Sequence, residues 1–182
     1  MAVIIGVVVL LALIAVVIGI YNRLVALRQN CRQGVADIDA QLRQRHDLVP
    51  NLVSTVKGYA DHEKSTLDSV IAARNDASAS PSSESEAKLR VSLDKLLALG
   101  EAYPDLKASA NFQALQGELA DVEDKLAAAR RALNAAVARF NTAVEAFPAV
   151  MFAGMLGFSH EDFHRLDSSE KGVVDQVPQI EF

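Results

Sequence analysis

FQALQGELADVEDKLAAARRALNAAVARFNTAVEAF, the stretch Phe112–Phe147, decides the fold. Apolar side chains fall at Phe112, Leu115, Leu119, Val122, Leu126, Ala129, Leu133, Ala136, Phe140, Ala143 and Phe147, in alternating steps of three and four. A helix turns about 100° per residue, so this spacing draws one narrow apolar stripe along it. Sustained without a break, such a seam is what a long helix presents to another long helix. At about 1.5 Å per residue the stretch is roughly 54 Å long, and Gly117 costs it about 1 kcal/mol. Strand-like alternation is sustained nowhere, and no repeat of about 20–50 residues is present.

The same spacing runs upstream. Val35, Ile38, Leu42, Val49, Leu52 and Val56 form a seam once Arg45 is allowed one of its slots, and Cys31, Leu24 and Tyr21 extend it backwards. Leu67, Val70 and Ile71 carry the pattern on towards Arg74, so one helix is expected from the N-terminus to that point. NDASASPSSESE, Asn75–Glu86, reads as a loop from its Ser, Pro, Asn and Asp content. A shorter helix follows, with Leu89, Leu93, Leu96 and Leu97 inward, ended by Gly100 and the Tyr103–Pro104–Asp105 turn.

Ala2–Ile20 carries no charge and no polar side chain. Nineteen helical residues cover roughly 28 Å, close to the thickness of bilayer hydrocarbon. Met1 is followed directly by apolar residues and no small-residue cleavage site follows, unlike a signal peptide. A retained single-pass anchor is the reading. Arg23, Arg28 and Arg32 precede the first acidic residue, Asp37, which places the N-terminus outside and the rest in the cytoplasm.

Charge agrees with that placement. Tyr21–Ala60 holds six Lys or Arg against three Asp or Glu, and the remainder holds twelve against twenty, within a net charge of −5. The basic flank suits anionic headgroups, and the acidic remainder argues against a nucleic-acid partner. The lone Cys31 has no intrachain disulfide partner and, on the apolar seam, reads as buried and inert.

Two further segments carry the functional question. RQRHDLVPNLVSTVKGYADHE, Arg43–Glu63, sets Pro50 inside a helix. Its ring presses on the carbonyl of His46, so a kink is expected, with Asp47 and Asn51 placed to cap the freed carbonyls. On a straight helix His46 and His62 stand roughly 160° apart, and Thr66 replaces the second histidine of an H-E-x-x-H helix. His160 and His164 have ligand spacing but no third ligand, so no metal or cofactor is expected. No nucleophile elbow, phosphate loop or kinase signature occurs, and no catalytic residue is assigned. Tyr59, His62 and Glu63 share a helix face suited to a neighbouring helix, while Asn134 and Asn141, one heptad apart, could set register. FPAVMFAGMLGF, Phe147–Phe158, is too short to span a bilayer. Either it closes the bundle end, or Phe147, Met151, Phe152, Met155 and Phe158 form an apolar surface against the membrane interface or a partner.

RHDLVPNLVSTVKGYADHE, LLALGEAYPDLKASANFQALQGEL, ALNAAVARFNTAVEAFP and GMLGF together closely resemble the LemA family of bacterial membrane proteins, from Tyr21 almost to the C-terminus. The chain departs from the family pattern at Leu133 and Phe140, where tyrosines are usual before Asn134 and Asn141. The resemblance implies an N-out anchor, a cytoplasmic antiparallel bundle and no established catalytic residues. Some relatives are associated with membrane organelles. It also marks Asp47, Pro50, Asn51, Gly58, Tyr59, His62, Glu63, Tyr103 and Pro104 as family-like positions.

The expected protein is therefore all-α: a transmembrane anchor over 1–21, a coiled-coil-like antiparallel bundle of long helices over 22–158, and a polar tail over 159–182. Three functions are in play. A non-enzymatic inner-membrane scaffold forming homo-oligomers leads, helped by small anchor residues (Ala2 with Gly6, Ala15 with Gly19) that permit close helix approach. An adaptor for another membrane protein, such as a protease or transporter, comes second. A hydrolase using His46–Glu63 is the weakest.

Overall fold

A computed structural model describes residues 1–160. The tail beyond His160, with His164, lies outside the described residues. Among the described residues every regular element is helical: α1 Ala2–Lys57, α2 Lys64–Ala79, α3 Ser83–Ala102, α4 Pro104–Lys107 and α5 Ala110–Glu145, followed by a 3₁₀ turn at Ala149–Met151. They divide into two compact units, residues 1–39 with 127–160 and residues 40–126.

In the first unit α1 and α5 lie antiparallel. Arg28 of α1 lies over the Phe140 ring of α5, and further along α1 Gly34 meets Leu133, earlier on α5. A Cβ on Gly34 would stand 3.2 Å from the Leu133 Cα, so this crossing relies on a glycine. Leu24, Cys31, Leu133 and Phe140 are buried, as their seam positions require. Ala2–Ile20 buries almost nothing against the rest of the chain, and it is long and apolar enough to cross a membrane.

The second unit corrects two expectations. The helix does not continue to Arg74: α1 ends at Lys57, Gly58–Glu63 forms a turn, and α2 folds back until Arg74 and Ser78 stand beside His46. Gly58 weakens helix continuation, and reversal lets Leu67, Val70 and Ala77 bury against Val49, Leu52 and Val56. Burying each large aliphatic side chain is worth about 1.5–3 kcal/mol, more than a few lost helical turns. Secondly, the expected loop at Asn75–Glu86 shrinks to Ser80–Ser82, the rest being absorbed by α2 and α3.

Ser82 explains the sharp restart. Its hydroxyl accepts the Ser85 N–H at 3.1 Å, and the Ser85 hydroxyl accepts the Ser82 N–H at 3.0 Å, a reciprocal cap. The expected stop after Gly100 is present. Tyr103 closes α3 and opens α4, with Pro104 in the first turn where its missing N–H costs nothing. Gly100 faces the ring of buried Phe112, and a Cβ there would come within 2.8 Å of it.

Candidate functional site

Arg45 occupies a slot in the apolar seam of α1 and is only 2% exposed. An unpaired guanidinium there would be prohibitive, so its partners define the site. One terminal nitrogen donates to Glu123 of α5 at 2.7 Å, and the other pairs with Glu86 of α3. Glu86 is 4% exposed and lies in the first turn of α3, whose dipole favours a carboxylate. Its second oxygen meets His46 Nε2 at 3.0 Å, and His46 Nδ1 meets the Ser78 hydroxyl of α2 at 3.2 Å. Four helices thus converge on one polar cluster. The Arg45 Nε is buried without a hydrogen-bond partner, so the cluster is not fully satisfied.

Pro50 connects to the same place. Its missing N–H frees the His46 carbonyl, and Arg74 Nε of α2 donates to that oxygen at 3.3 Å. Arg74 takes the role expected of Asp47 and Asn51. Both of those residues are exposed, as is Pro50, and α1 continues helical through the proline.

Ser78, His46 and Glu86 have the atom types of an acyl-transfer relay. One feature argues for a structural cluster instead: Ser78 sits inside α2, where backbone N–H groups are committed to the helix and offer no oxyanion hole. Arg45, Glu86, Ser78, Arg74 and Glu123 escaped the sequence reading. The available signal was a charge at position 45 of an apolar seam.

The remaining candidates scatter. Tyr59, His62 and Glu63 share no helix face, because they lie in the turn between α1 and α2; Tyr59 and His62 are exposed. Glu63 instead accepts the Tyr103 hydroxyl at 3.1 Å, joining two of the family-like positions. That hydrogen bond holds the Tyr103 phenol above its ordinary value. Asn134 is exposed and Asn141 half-buried, and Arg23 and Arg32 face outward.

Arg28 is half-buried: its guanidinium stacks 4.7 Å from the Phe158 ring centroid and donates to the Gly157 carbonyl at 3.1 Å. Phe140 therefore keeps a packing role without a hydroxyl. Among the described residues no cluster of three metal-ligating side chains occurs.

Phe147–Phe158 has a buried end and an exposed stretch. Phe158 is buried between Phe140 and Tyr21, closing the end of the unit. Phe147, Met151 and Met155 are exposed, and with Phe152 the first two line an apolar groove of about 520 Å³ whose other wall is Leu13–Ile18 of α1.

The LemA family model matches residues 34–182, well over half of the chain. The chain belongs to the LemA family. The magnetosome protein MamQ of Magnetospirillum gryphiswaldense is 30% identical over 89 residues, covering 48% of this chain and 32% of that protein. The match thus spans about a third of that relative's length. LemA membership and the apolar N-terminal helix describe a membrane-associated helical protein.

Proposed function

We propose that this LemA protein is a non-enzymatic scaffold anchored by Ala2–Ile20 in the bacterial inner membrane, N-terminus outside, which self-associates and organises the membrane. One observation carries the reading: where each kind of side chain is spent. Arg45, His46 and Glu86 are consumed in internal contacts, whereas exposed large apolar side chains concentrate at the anchor and at Phe147–Met155. Surfaces of that kind serve contact with lipid or protein. Open space around Gly6 and Gly19 leaves room for a second anchor to approach closely. The likeness to a protein named for the magnetosome agrees with an organising role.

The test is the mass distribution of the full-length protein in lipid nanodiscs across a concentration series. Discrete assemblies larger than one chain support the scaffold. A monomer at every concentration refutes it and favours an adaptor, which crosslinking in cells would then show as one dominant partner.

A further inference from the structure

We infer that Phe147–Met155 is a second membrane insertion, dipping into the same leaflet as the near end of the anchor, with lipid acyl chains filling the groove between them. The inference rests on the reading of Ala2–Ile20 as a bilayer span. Depth is the first argument. The apolar run ends at Ile20, the first charge is Arg23, and the groove wall reaches back to Leu13. Seven helical residues correspond to about 10 Å, most of one leaflet of a roughly 30 Å hydrocarbon core. Phe147, Met151 and Phe152 stand against that wall, at acyl-chain depth.

Composition is the second argument. Residues 146–159 contain no charge, and Met155 and Phe147 are 88% and 79% exposed. In water this would be a costly display; in hydrocarbon it is the expected one. The polar groups lie at the neck. Glu145 and His160, flanking the segment, approach to 3.9 Å, and Arg28 caps the Gly157 carbonyl.

The backbone supplies the third argument. Irregular chain enters hydrocarbon only where its polar groups are met internally. Seven of the eleven N–H groups between Phe147 and Phe158, those of Val150–Ala153 and Leu156–Phe158, donate to carbonyls within Ala146–Gly154.

The chain contains no tryptophan, so single substitutions report cleanly. Full-length variants Phe147→Trp, Met155→Trp, Leu11→Trp and Val91→Trp are placed in phosphatidylethanolamine–phosphatidylglycerol vesicles, with and without bromines on the acyl chains. All four positions are exposed in the chain, so each variant should fold; circular dichroism checks this. The expected result is a several-fold loss of emission in brominated vesicles for Leu11→Trp, Phe147→Trp and Met155→Trp, and unchanged emission for Val91→Trp. If Leu11→Trp is quenched while Phe147→Trp and Met155→Trp behave like Val91→Trp, the inference is overturned and the anchor stands. If Leu11→Trp is not quenched, the anchor reading fails and the inference with it.

Discussion

Replacing Glu86 by leucine removes the carboxylate that Arg45 and His46 share, without opening a large void. Arg45 would keep only Glu123, whose side chain is 36% exposed, and its 2%-exposed guanidinium would be left half-compensated. Breaking a buried pair by deleting one partner costs about 3–5 kcal/mol. For a chain of this size each kcal/mol lowers the Tm by about 2–4 °C, so the loss is roughly 6–20 °C.

The double variant Arg45→Leu, Glu86→Leu discriminates between mechanisms. It deletes both charges, leaves Glu123 free to be hydrated, and strands only His46 Nε2, a cost of about 1–3 kcal/mol. It should therefore be more stable than Glu86→Leu alone, although it carries one more substitution. Thermal unfolding of the full-length protein in mild detergent, followed by circular dichroism at 222 nm, measures all three. A single variant within about 1 kcal/mol of the parent, or a double variant no more stable than the single, would refute the claim that this cluster couples the helices.

Arg74→Met should cost about 1–3 kcal/mol by orphaning the His46 carbonyl, and less in a Pro50→Ala background, where a restored N–H at position 50 can reach that oxygen. Equal losses in both backgrounds, by denaturant titration, would argue against the pairing. Gly100→Ala should destabilise despite its gain of about 1 kcal/mol in helix propensity, because overpacking against the Phe112 ring costs about 1–3 kcal/mol. Adding Phe112→Leu should relieve that strain, and a Tm for the pair at or below the additive value would contradict it. Because the Tyr103 phenol is raised by its bond to Glu63, its contribution is complete below the ordinary phenol pKa near 10 and is lost as pH rises through the raised value. Tyrosinate absorbance should show Glu63→Gln lowering the Tyr103 midpoint, with Tyr103→Phe identifying the signal; an unmoved midpoint counts against the bond.

Periodicity and apolar run length are local properties, and they were enough to determine the all-α class, the long seam of α5, the stop after Gly100 and the apolar helix at Ala2–Ile20. Each depends on residues within a turn or two of one another, or on an uninterrupted count. The reversal at Gly58–Glu63 was not legible, because the apolar spacing is the same for one long helix and for a hairpin of two. Only the gain from packing Leu67 and Val70 onto Val49 and Val56 separates those outcomes.

The charge cluster was hidden for the same reason. Arg45 showed as an interruption of the seam, but Glu86, Ser78 and Arg74 fell in or beside a stretch whose composition suggested a loop, and nothing local ties them to position 45. The Phe147–Phe158 segment was legible as apolar and short, yet its buried and exposed residues were undivided in the sequence. Tertiary packing divides them: Phe158 turns in over Arg28 and Phe140, while Phe147 and Met151 face the groove beside Leu13–Ile18. Local chemistry specifies which elements form; burial and the pairing of charges across distant elements decide which residues meet.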